Sequence, residues 1–181
     1  MRTLLAALLL LALALPVAAQ EPDNGLLVYG ALANVYGGGG LYALRYDTYF
    51  QGYGEFNLVS AGIGHHRGGN GWMVSTCLVS EAPSGENGDW MFTMGVLPVF
   101  FHVVGGATRD WTSREPTLHA YAGVCPLAMT PYVEAGAEAK WRFYAASPSV
   151  RATWRWTQGG HIISLCAGLE LGGIWALGRH E

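Results

Sequence analysis

The chain reads as all-β: an antiparallel, up-and-down transmembrane β-barrel of about eight strands, eight to ten in all, behind an export signal. Three observations lead there. Between Pro131 and Leu177, apolar and charged residues alternate with period two. Such alternation places unlike side chains on the two faces of a strand. Charged residues make up only 13% of the chain, about half the usual share for a soluble domain. Finally, an apolar leader opens the chain, yet no later apolar run is long enough for a spanning helix.

The leader comes first. Arg2 gives a short positive region, Leu4 to Leu15 is apolar, Pro16 breaks the run, and Val17-Ala18-Ala19 fits a cleavage site. Residues 1–19 are therefore expected to be a cleaved signal peptide, and residues 20–181 a single β-barrel domain. No cysteine follows the leader as a lipid anchor would require.

Nine segments then read as strands: Leu26–Tyr36, Leu41–Gln51, Gly54–His65, Trp72–Ser80, Trp90–Val104, Thr117–Cys125, Tyr132–Tyr144, Ser149–Gln158 and His161–Leu177. Glycine-rich or turn-forming pieces separate them, including Gly37–Gly40, Gly52-Tyr53 and Gly159-Gly160. A closed single-chain barrel wants an even number, so eight is expected, with Leu26–Tyr36 or its neighbour misread. Pro98 within the fifth segment points to a bulge or break, because proline cannot donate to a central ladder.

The last three segments carry the strongest pattern. Glu134, Glu138, Lys140, Arg142, Arg151, Arg155 and Glu170 share one face. The other face carries Val133, Ala135, Ala139, Trp141, Trp154, Ile163, Leu165 and Leu169. A two-residue turn at Gly159-Gly160 would set Gln158 opposite His161 and Trp156 opposite Ile163. A turn at Ala146-Ser147 would set Glu138 opposite Arg155 and Arg142 opposite Arg151. In a soluble sheet the apolar face would be the core; in a membrane barrel it faces lipid and the charges are enclosed. Small and large residues are mixed on the apolar face, and the opposite face pairs Arg with Glu rather than displaying Lys. Both features favour enclosure of the charges. Trp141, Trp154, Trp156 and Trp175 fall near strand ends, as an aromatic girdle would have them.

The segment Glu170-Leu171-Gly172-Gly173-Ile174-Trp175-Ala176-Leu177 follows a polar-x-Gly-x-x-apolar-x-apolar spacing. In this it resembles the last strand of small bacterial outer-membrane β-barrel proteins, although the chain continues to Glu181 instead of closing on an aromatic residue. The resemblance implies an outer-membrane location, surrounding lipid as a partner, and the barrel assembly machinery as a partner during biogenesis. It names no subfamily and carries no catalytic motif.

Other chemistry is sparse. A formal charge of −3 and a single lysine, Lys140, give no basic field for nucleic acid. Cys77, Cys125 and Cys166 are odd in number and wrongly spaced for zinc, and they read as small strand residues, with one disulfide left open. His65 and His66 must point to opposite faces, and no serine stands in a nucleophile elbow. No catalytic, cofactor or metal residues are assigned. The charged face is expected to be a structural brace within the lumen, with little or no transport, since an eight-stranded barrel is just wide enough for side chains to fill. A soluble exported β-barrel or sandwich holding a small hydrophobic ligand is the alternative, and a lipid-modifying outer-membrane enzyme the second. The inner face of Trp90–Val104 would line such a ligand pocket.

Overall fold

A computed structural model describes residues 24–44, 47–67, 70–83, 92–105, 116–128, 131–141 and 146–179. The signal-peptide reading lies outside them. The described residues form a closed, antiparallel β-barrel. Its strands are β1 (Asn24–Leu44), β2 (Thr48–Arg67), β3 (Asn70–Pro83), β4 (Phe92–Val96), β5 (Val99–Gly105), β6 (Thr117–Cys125), β7 (Tyr132–Lys140), β8 (Ala146–Thr157) and β9 (Gly160–Arg179). Apart from β4 and β5, which do not pair with each other, each pairs with its chain neighbours, and β1 closes the barrel against β9, with Asn24 opposite Arg179. The segments β4 and β5 both pair with β3 and form one stave interrupted at Leu97-Pro98. The barrel thus has eight staves, and the break falls where Pro98 requires it.

The count resolves at the first hairpin. Gly37–Gly40 is not a turn but the middle of β1, and Gly52-Tyr53 lies inside β2. The chain reverses between Leu44 and Thr48, so the expected strand Leu41–Gln51 is two strand ends and their turn. Glycine here serves close approach rather than reversal. A Cβ on Gly39 would sit 2.4 Å from the Phe50 ring, and one on Gly38 would sit 2.1 Å from the Leu165 carbonyl oxygen. The same device recurs inside the barrel, where the Tyr36 ring lies across Gly168 and the Tyr121 ring across Gly136.

Both expected hairpin registers are corrected. The β8–β9 turn is Gln158-Gly159, so Trp156 faces His161, Trp154 faces Ile163 and Arg155 faces Ile162. Gly160 opens β9 at φ 146° with its Cα against the end of β1, where a Cβ would meet the Ala43 oxygen at 2.3 Å. Its glycine is needed for the strand, not the turn. In the preceding hairpin Ala146 and Ser147 belong to β8, Glu134 faces Arg155, and Glu138 faces Arg151. Trp141 donates its backbone N–H to Pro148 O at 2.9 Å, fixing that end of the pair. The expected pairs were displaced by two and four residues. Even displacements leave every side chain on its face, so the inside–outside assignment is unchanged.

That assignment is inverted relative to a soluble barrel. Outward-facing side chains include Val103 at 56% exposure, Leu118 at 59%, Ile163 at 54% and Leu165 at 63%. Inward-facing ones include Glu134 at 1% and Arg155 at 2%. Two apolar clusters lie inside, one toward each end. Leu27, Met73 and Ile174 pack toward the end where the chain starts and finishes, and Tyr42, Tyr53 and Ile162 toward the opposite end.

Candidate functional site: a charged core inside the barrel

The lumen between those two clusters is polar. Period two puts Glu134, Glu138 and Lys140 of β7 inside, then Arg151 and Arg155 of β8, then Glu170 of β9. Arg142 lies outside the described residues. To these the fold adds Glu55, from β2 on the far side of the lumen. Its alternation Tyr53-x-Glu55-x-Asn57 was legible, but reading Gly52-Tyr53 as a turn hid it.

Glu55 is the hub of one half. It accepts hydrogen bonds from Arg151 Nη2, from Arg155 Nη2 at 3.0 Å, from Tyr53 Oη at 2.9 Å and from Asn57 Nδ2 at 2.8 Å. Arg155 also donates Nε to Glu134 Oε2 at 2.7 Å, with Nη2 on the same oxygen, and Tyr121 Oη donates to Glu134 Oε1 at 2.9 Å. In the other half, Lys140 Nζ donates to Glu170 Oε2 at 2.7 Å and lies 3.6 Å from Glu138 Oε2. Tyr29 Oη reaches Glu170 at 2.8 Å, and Tyr36 Oη reaches Glu138 at 3.2 Å. The Arg151 guanidinium stacks on the Tyr36 ring at 3.7 Å and joins the halves; that of Arg155 lies over Tyr132 at 4.4 Å.

Charges so deeply enclosed are tolerated only when paired and hydrogen-bonded. Arginine suits the task, because its planar fork serves two carboxylates and its face rests on a tyrosine ring. The tyrosines contribute area as well as hydroxyl donors, so one residue type fills space and satisfies a carboxylate. Five strands supply the charged groups and tyrosines of this network (β1, β2, β6, β7 and β8), with β9 adding Glu170. It therefore ties opposite walls together.

Beside the network lies a cavity of about 60 Å³, room for a few waters. Phe100 and His102 of β5 line it, as does Met73. Part of the inner face expected to line an apolar pocket thus borders a cavity, one of mixed character and far too small for a lipid. Sequence reasoning missed one pair there: Ser75 Oγ and His102 Nε2 are 2.7 Å apart. An acyl-transfer centre also needs an acid on the imidazole and space for a carbonyl group. Here Glu138 faces His119 across β6–β7, and the His119 ring meets that of His102 edge-on at 6.4 Å. His65 points out and His66 in, as adjacent strand residues must.

The cysteines are three separate buried thiols. Among the described residues, no group of three or more His, Cys, Asp or Glu side chains is placed to hold a metal ion. Trp154 and Trp156 project outward near the β8–β9 turn, Trp154 stacking on His161 at 5.6 Å. Trp141 follows β7 at the other end, half-buried, and the Trp175 side chain lies outside the described residues. The chain gives no match to a family model, to a curated protein or to a solved structure.

Proposed function

We propose that this chain is an outer-membrane β-barrel of structural or interaction type, its lumen plugged by its own charges and carrying little or no solute. The observation that supports this reading is the inversion of polarity. Leucine, isoleucine, valine and tryptophan cover the outside of a closed wall whose inside holds Glu55, Glu134, Glu138, Lys140, Arg151, Arg155 and Glu170. Water would favour the opposite arrangement, whereas lipid favours this one. A soluble barrel with a ligand inside would need a polar exterior and a larger chamber. In this reading Trp154 and Trp156 at one end and Trp141 at the other sit at the membrane interfaces, with surrounding lipid as partner. The spacing from Glu170 to Leu177 would serve recognition by the barrel assembly machinery. The charge network acts as an internal brace.

Two experiments test the proposal. Cells expressing the full chain are fractionated, and the protein is expected to pellet with outer membranes, resist alkaline extraction and run faster on a detergent gel when unheated. Release as a soluble monomer by osmotic shock would overturn it. Purified protein in a planar bilayer is expected to give no stable conductance. Steady channels from the unaltered chain would refute the plugged lumen.

A further inference from the structure

One side of the barrel wall is built differently from the other. The ladders β6–β7, β7–β8 and β8–β9 run without interruption. Those joining β1, β2, β3 and β4–β5 share a fault at one level. Pairing skips Leu32 and Val59 between β1 and β2, then Val59 and Leu78 between β2 and β3. It stops again between Val79↔Val96 and Thr76↔Val99, leaving Cys77 and Leu78 opposite Leu97 and Pro98. Each strand spends two successive residues on its outer face there. The inward positions are Ala31 and Asn34, Asn57 and Ser60, Cys77 and Ser80, and Gly95 and Pro98. Because the extra residues align from strand to strand, they form one crease across four staves rather than four separate bulges.

The crease is strained. Val59 has φ 48° and Leu97 φ 51°, a left-handed conformation that a β-branched or bulky residue avoids. Pro98 has no N–H with which to restore the ladder. The inward side chains at this level, Asn34, Asn57, Ser60 and Cys77, are themselves uncharged and line the luminal cavity, with Asn57 donating to Glu55 at 2.8 Å. The bonds among them are modest, Cys77 Sγ to Asn57 Oδ1 at 3.7 Å and the Asn34 amide to Ser60 Oγ at 3.2 Å. Cavity, broken ladder and strained backbone therefore coincide.

We propose that this crease is a lateral seam. β3 and β4–β5 part at Cys77-Leu78 and Leu97-Pro98, opening the luminal cavity sideways to small uncharged solutes from the apolar surroundings, while both ends of the barrel stay closed. Strain stored at Val59 and Leu97 lowers the cost of opening. The seam is a property of the wall and is testable in detergent micelles, so it fails or stands separately from the outer-membrane assignment.

Two of the chain's own thiols serve as reporters. One variant of the full chain keeps Cys77 alone (Cys125→Ala with Cys166→Ala) and another keeps Cys166 alone (Cys77→Ala with Cys125→Ala). Folded in micelles, Cys77 is expected to react with an uncharged maleimide at least about ten-fold faster than Cys166, as local opening of one unit allows. A permanently charged methanethiosulfonate should react with neither on that timescale. Adding Leu97→Gly, which accepts positive φ, should slow Cys77 labelling roughly five-fold, and Leu97→Ala should not. Equal rates at the two thiols, or equal reaction of Cys77 with both reagents, would overturn the seam. Should a variant not fold, hydrogen exchange on the unaltered chain decides. Amides at 76–79 and 96–99 should exchange before those at 133–139 and 150–156, and equal protection would overturn the proposal.

Discussion

Replacing Arg155 with alanine is expected to destabilise the barrel by about 3–5 kcal/mol, the usual consequence of removing one partner from a buried ion pair. Arg155 is the only cation bonded to Glu134 among the described contacts, and it shares Glu55 with Arg151. Without it, Glu134 stays enclosed with only the Tyr121 hydroxyl as donor. The loss comes from stranding a carboxylate, so it should be partly reversed by neutralising that carboxylate. Arg155→Met combined with Glu134→Gln is expected to be markedly more stable than Arg155→Met alone, with a coupling of at least about 1 kcal/mol. Urea midpoints of protein refolded into vesicles, with strand content as the signal, measure both values. Additive effects of the two substitutions would remove the brace from the account.

Leu165→Arg gives the second large effect, and its size depends on what surrounds the barrel. Leu165 is 63% exposed on the outer face, opposite Ala152 and Gly39. In lipid, an arginine there is expected to cost about 2–4 kcal/mol, least if it lies near an interface. In water, an exposed leucine-to-arginine change falls within about 0.5 kcal/mol of neutral. The same urea titration separates the two outcomes, and Thr153→Val, on the inner face, serves as the luminal comparison.

These expectations rest on faces, and faces were what the residues made legible. Every described charged residue assigned to one face of the last three segments points into the lumen, and Trp154 and Trp156 point out. Partners were harder to read. Period two fixes which side a residue occupies but is blind to displacements of two or four, and both hairpins moved by such steps. The turn chemistry that should have fixed them misled, since Gly160 is required by its packing against β1, a neighbour distant in sequence. Gly37–Gly40 failed for the same reason, its glycines answering to Phe50 and Leu165 across the sheet. In β1 and β2 the alternation is further masked by Leu32 and Val59. Beyond each, the inward residues change parity, from Ala31 to Asn34 and from Asn57 to Ser60. A pattern search over either whole strand therefore finds two half-patterns of opposite sense. Tyr29, Tyr36, Tyr53 and Glu55 of those two strands were lost in that ambiguity, whereas β7 and β8, without bulges, were read cleanly. Pro98 was the exception among irregularities, because its missing N–H identifies a break with no reference to neighbours.

The central claim is that the outer face of this wall meets hydrocarbon. Tryptophan fluorescence tests it directly, because Trp72, Trp154 and Trp156 project from that face. Protein unfolded in urea is diluted into phospholipid vesicles, with or without bromine on the acyl chains, and into buffer alone. Folding is expected only with lipid, and emission from the folded protein should be strongly quenched by the brominated chains. A folded, strand-rich monomer in buffer, with emission unchanged by brominated vesicles, would contradict the account.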